Sequence, residues 1–212
     1  MALESAIVLL GLLVALWLRP WRLLGDGVLL SPLLAQLSLL SVLWSLPFWH
    51  HMPLQVHWSG APLLTLMLGW PLAVPALVAV GLVVWGLSPA DFAQALGLVV
   101  WKGLAPATFT LLLGAALRRW LPQHPFVYVL GRGFLGSVVC VFAGSLLGQW
   151  LGHGLPHVPA GLSSVAHWLM AWGDAFITGM LCAIFVAFRP QWLATWSDRL
   201  YLQPGTPPER PR

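Results

Sequence analysis

Apolar runs long enough to cross a bilayer, separated by polar or charged breaks, organise this chain. The first runs from Leu3 to Leu18 and is closed by Arg19, Pro20 and Arg22. The second is Val28 to Trp49, followed by the polar segment His50 to Ser59. A third apolar region, Gly60 to Leu87, is interrupted by Gly69, Pro71 and Pro75. Ala93 to Leu117, Phe126 to Leu151 and Leu162 to Phe188 complete the series. This pattern predicts an all-α, polytopic transmembrane helix bundle forming one domain over residues 1–202. The proline-rich residues 203–212 are expected to be a disordered cytoplasmic tail.

Arginine placement predicts the orientation. Arg19 with Arg22, Arg118 with Arg119, and Arg189 follow three different runs, while the other breaks are poor in Lys and Arg. The positive-inside rule puts those three breaks in the cytoplasm and the N-terminus outside. Gly60 to Leu87 must then cross an even number of times, as two short spans or a re-entrant hairpin hinged near Gly69 to Pro71. The first piece, about ten residues or roughly 15 Å of helix, cannot cross a core of roughly 30 Å alone. It must be partly extended, tilted or buried in protein, an arrangement that often lines substrate sites in transporters. A single proline-kinked span is the alternative. With the interrupted region counted twice there are seven segments. Trp17, Trp21, Trp49, Trp58, Trp120, Trp150 and Trp192 fall near the ends of runs, as interfacial aromatic belts require. Gly136, Cys140, Gly144, Gly148 and Gly152 recur at every fourth position and make a smooth face, expected to pack internally rather than to form a dimer.

Composition agrees: 59% of the 212 residues are hydrophobic and 8% are charged, too few to cover a water-facing surface. The net charge of +4 comes from scattered arginines with no basic run, so nucleic-acid binding is not implied. Cys140 and Cys182 lie inside apolar runs and suggest neither a disulfide framework nor a zinc motif. Met1 to Ser5 lacks the basic start of a cleaved signal, so the first run is read as a membrane helix. No GxxxxGK[ST] loop is present, so ATP hydrolysis would have to come from elsewhere.

Two groups of residues could carry chemistry. In the predicted topology His50, His51, His57, His153, His157 and His167 lie toward the outer side, and only His124 is cytoplasmic. Imidazole suits nickel, cobalt, copper and zinc, although polar loops also hold histidine for other reasons. The second group is Lys102, Arg132 and Asp174, ionisable residues inside apolar runs that should face the bundle interior. Helical rise puts Lys102 roughly 14 Å and Asp174 roughly 18 Å from the outer ends of their helices, so these two are the better-matched pair. The pair is either a structural lock on helix register or part of a transport route. Arg132, about six residues from the cytoplasmic start of its helix, is close enough to snorkel.

Several strings resemble the CbiM-like, cobalt/nickel-type permeases, the substrate-capture components of energy-coupling factor (ECF) ABC transporters. They are His57-Trp58-Ser59-Gly60 with Pro62 to Leu68 and Gly69-Trp70-Pro71; Ala95-Leu96-Gly97; and Leu121-Pro122-Gln123-His124-Pro125-Phe126-Val127-Tyr128. The last are Gly173-Asp174-Ala175-Phe176-Ile177-Thr178-Gly179-Met180 and Arg189-Pro190-Gln191-Trp192. The resemblance covers roughly residues 57–202. It implies a multi-pass protein of the bacterial inner membrane that takes up a transition metal, cobalt or nickel, linked to cobalamin metabolism. The metal is its substrate rather than a resident cofactor, and its partners would be an ECF transmembrane coupling subunit and ATPase subunits. His57 is the matched ligand position. Better-known members begin Met-His-Ile-Pro-Asp-Gly, whereas this chain begins Met1-Ala2-Leu3-Glu4-Ser5, so His50 and His51 are the expected substitutes. The family's asparagine is replaced around Val99, Arg132 stands where asparagine is usual, and Asp174 stands where the acid is commonly Glu. Lys102 nearby would repel a bound cation. Two further readings are a membrane scaffold or assembly protein without transport, and an intramembrane serine hydrolase suggested by Gly161-Leu162-Ser163-Ser164 followed by His167.

Overall fold

A computed structural model describes residues 1–50, 58–155 and 158–196. Its regular structure is helical, and among the described residues there is no strand. Among the described residues seven helices follow one another: α1 Ala2–Trp17, α2 Leu30–Trp49, α3 Ala61–Leu68, α4 Trp70–Leu87, α5 Phe92–Trp120, α6 Val127–Trp150 and α7 Ala160–Phe188. Five of them, all but α1 and α3, are long and apolar enough to span a membrane. The proline-rich tail lies outside the described residues.

The interrupted third region divides at Gly69. Its φ of +74° and ψ of 155° end α3 and start α4, a backbone state that favours glycine. A single kinked span is therefore replaced by a short leg and a full helix. α3 has eight residues, all buried, and at roughly 12 Å it covers less than half of a hydrocarbon core. Its far end turns at Ser59 and Gly60 in the middle of the bundle; residues 51–57 lie outside the described residues. A buried helix can be apolar on every side. Leu63, Leu64, Leu66 and Leu68 of α3 pack with Leu40 and Trp44 of α2 and Leu77 and Val80 of α4 in the core.

The arginine-bearing breaks share one end of the bundle. After α7 the chain folds under α3, where Ala194 N–H donates to the Met67 carbonyl at 2.9 Å and Thr195 Oγ1 to the Leu66 carbonyl at 2.8 Å. Thr195 Oγ1 also lies 2.7 Å from the Tyr128 hydroxyl, and Tyr128 lines a notch with Arg118. Leu23, just past Arg22, sits against Gly69. Glu4 and His153 meet at the opposite end. Trp17, Trp120 and Trp150 are among the most exposed large side chains, as membrane-interface residues should be.

Between apolar surfaces in lipid, close packing and buried hydrogen bonds hold helices together rather than the hydrophobic effect. The small-residue face of α6 serves that purpose. A Cβ on Gly144 would lie 2.9 Å from the Pro106 ring, and one on Gly148 would lie 3.0 Å from Trp101. The face packs internally on α5, as expected; Gly152 (φ +91°) lies just beyond the helix with open space around it.

Candidate functional site

α7 carries one polar face inward. Ser163, His167, Asp174 and Thr178 recur at helical spacing and are all buried, while Phe176 and Met180 point away from the core. Asp174 sits midway along the helix at 2% exposure. Its Oδ2 accepts the backbone N–H of Ser59 at 2.7 Å and that of Gly60 at 3.2 Å, and the Thr178 hydroxyl lies 3.4 Å from Oδ1. These donors precede the first turn of α3, where unpaired backbone N–H groups favour an anion. Asp174 thus closes the start of α3 from a different helix, directly after the His57-Trp58 dipeptide. Gly60 adopts φ +62° there, and a Cβ would lie 2.8 Å from Leu40.

Two further contacts grip the same turn. The Trp44 indole N–H donates to the Trp58 carbonyl at 2.7 Å. The Ser59 hydroxyl donates to the Lys102 carbonyl at 2.6 Å. The reason that carbonyl is open lies four residues on. An α-helix would satisfy it with the N–H of residue 106, which is a proline and has none. The backbone widens to a π-helical stretch over Val99–Leu104, a deviation found mostly at functional sites.

Lys102 and Asp174 lie near enough to act on each other electrostatically, but they do not form the expected direct ion pair. Lys102 Nζ donates instead to Ser145 Oγ of α6 at 3.0 Å, and Asp174 is occupied by backbone donors. Backbone N–H groups, which residue spacing does not show, take the carboxylate. Arg132 does not snorkel either. It is 5% exposed, in a second π-helical stretch, Val127–Leu135.

A second polar group closes the end opposite the arginines. Glu4 of α1 is 2% exposed; its Oε1 lies 2.6 Å from His153 Nε2 and 3.3 Å from the Trp101 indole nitrogen, and its Oε2 lies 2.9 Å from the Met1 amine. Gly97 leaves room for the pair, since a Cβ there would lie 3.3 Å from the imidazole. Sequence reasoning missed Glu4. A lone acid at the second position of an apolar run was the available signal, because such a group needs a buried partner. Glu4→Gln is expected to lower stability by about 1–3 kcal/mol, the cost of weakening a buried charged acceptor, and thermal unfolding in detergent checks this.

His50, by contrast, is exposed at the end of α2. His51, His57 and His157 lie outside the described residues. Among the described residues no three His, Cys, Asp or Glu side chains form a metal-binding group. His167 is not an outer-loop residue: it is buried, with Nδ1 3.2 Å from Gln149 Oε1. Ser163 Oγ accepts the Leu155 N–H at 3.4 Å and Ser164 Oγ donates to the Ala160 carbonyl at 3.0 Å, so neither is paired with the His167 ring as a hydrolase would need.

Residues 2–192 match the family described as the cobalt uptake substrate-specific transmembrane region, CbiM. The chain belongs to the CbiM family. No curated protein and no solved structure matches it. Family membership makes this a multi-pass membrane component of a transport system, of a kind that generally works with other transporter subunits. It also reaches further than the resemblance in the individual strings, taking in α1 and α2, and so includes Glu4 within the CbiM domain.

Proposed function

We propose that this CbiM-family chain is the substrate-capturing component of an ECF importer for a transition metal ion, cobalt or nickel, serving cobalamin metabolism in the bacterial inner membrane. Its arginine-bearing end faces the cytoplasm and Met1 faces outward, by the positive-inside rule. An ECF coupling subunit and ATPase subunits would supply the energy. The observation that carries this reading is the grip of Asp174 on the backbone of Ser59 and Gly60. It ties the turn that follows His57 in the chain to the middle of the bundle. His57 is the proposed principal ligand, with His50 and His51 as supplements. His153, held by the Glu4 carboxylate at the end opposite the arginines, offers a further imidazole of the kind that suits these metals.

Isothermal titration of the purified chain with cobalt and nickel tests the proposal. Saturable binding is expected, and His57→Ala should weaken it by at least about tenfold, or about 1.4 kcal/mol. No binding, or binding indifferent to that substitution, removes the metal from the proposal. One observation favours a second reading, a scaffold that no longer transports: Lys102 places a cation near enough to act on Asp174, the residue that grips Ser59 and Gly60. The absence of metal binding together with stable association with ECF subunits would select it.

A further inference from the structure

The element that holds the start of α3 also holds its end. Asp174 of α7 takes the Ser59 and Gly60 N–H groups ahead of the first turn. Beyond α7 the chain makes a single turn, Pro190–Trp192, and residues 193–196 then run beneath the last turn of α3. The Leu66 carbonyl accepts the Thr195 hydroxyl at 2.8 Å and the Thr195 N–H at 3.3 Å, and the Met67 carbonyl accepts the Ala194 N–H at 2.9 Å. A helix cannot answer its last carbonyls from within, and Leu66 and Met67 are too deeply buried for water to do so. The strap is itself anchored. Leu193 and Trp196 are buried in the core, the Trp196 ring meets Tyr128 edge to face at 4.9 Å, and the Thr195 hydroxyl lies 2.7 Å from that of Tyr128.

Two features make α3 a unit that can respond as a whole. Eight residues are fewer than the roughly 12–15 that an isolated helix needs, so its two turns persist through their packing and their end contacts. Glycines with positive φ bound it, Gly60 at +62° and Gly69 at +74°, and the ends of an element are where hinges absorb backbone rotation. Few intrahelical bonds separate the two ends. Because helix formation is cooperative, loosening one end of so short a helix is expected to loosen the other.

We propose that residues 193–196 and the Ser59–Gly60 turn are coupled through α3, so that displacing the strap at the arginine-bearing end loosens the turn that Asp174 holds in the middle of the bundle. The coupling does not depend on which ion is carried. Its use, to let a partner subunit at that end act on the carried ion, rests on the metal transport proposed for this chain. Hydrogen exchange of the full chain in detergent, without metal, tests the coupling. Thr195→Val keeps the shape of the side chain and removes its hydroxyl from Leu66 and Tyr128; Tyr128→Phe removes the hydroxyl that meets Thr195. Thr195→Val should speed exchange of the Ser59, Gly60 and α3 amides by at least about tenfold, with the α4 amides unchanged, and Tyr128→Phe should do so by less. Coupling is reciprocal, so Asp174→Asn should speed exchange at Ala194 and Thr195 in turn. Should Thr195→Val fail to fold, the same pattern at smaller amplitude is required of Tyr128→Phe. The proposal is overturned if the strap variants change exchange only within residues 193–196, if every helix including α4 loosens equally, or if Asp174→Asn leaves Ala194 and Thr195 as protected as in wild type. A chain that binds no metal but shows the linked exchange keeps the coupling and loses only its use in transport.

Discussion

Asp174→Asn is expected to abolish high-affinity metal binding and to cost about 2–5 kcal/mol of stability, the order expected when two charge-assisted hydrogen bonds to buried backbone donors are weakened. The carboxylate receives two backbone donors, Ser59 N–H and Gly60 N–H, on one oxygen. An amide keeps at most one neutral acceptor in its place and presents an NH₂ on its other side. Each charge-assisted bond is worth about 1.5–3 kcal/mol, so weakening both releases the turn that follows His57. Lys102 simultaneously loses the opposite charge that acts on it. The double substitution Asp174→Asn with Lys102→Met separates these effects. It should recover part of the stability, because the stranded cation is gone, without recovering metal affinity, because Ser59 and Gly60 still lack their acceptor. Thermal unfolding and titration calorimetry on the three proteins read the two quantities. Wild-type affinity in Asp174→Asn would detach this residue from the site.

The second large effect lies in packing. Gly144→Leu should destabilise the protein by about 3 kcal/mol or more, since overfilling a packed interface forces backbone shifts. A side chain there meets the Pro106 ring and drives α6 from α5. Lys102 and Ser145 lie on those two helices, and their bond at 3.0 Å should be lost with the register. Size-exclusion analysis in detergent distinguishes this from damage to a dimer contact: the variant should melt lower with an unchanged elution volume. A change of assembly state with unchanged melting would show that the small-residue face meets a second copy instead.

Much of the architecture was legible because the bilayer restricts what a chain can do. Long apolar runs had to become helices, and the break at Gly69 was visible as a glycine followed by Pro71 and Pro75. The inward location of Asp174 followed from the cost of a charge in lipid. The two π-helical stretches were not legible as such, although Pro106 four residues after Lys102 signalled a carbonyl in need of another donor. Nor did the order of residues reveal that Asp174 would choose backbone donors over Lys102. Both partners satisfy a carboxylate, and only their final distances decide between them.

The order of residues alone thus determined a helical membrane protein, its break points, the grouping of its arginines and the short list of costly polar groups, since transfer to lipid depends on each residue's own chemistry. Tertiary structure decided the pairings: Asp174 with the start of α3, Lys102 with Ser145, Glu4 with His153, and Arg132 with Nε and Nη1 unanswered among the described residues. The first three join groups between 43 and 149 residues apart along the chain. Desolvation demands that each such group be answered, but geometry chooses which group answers it.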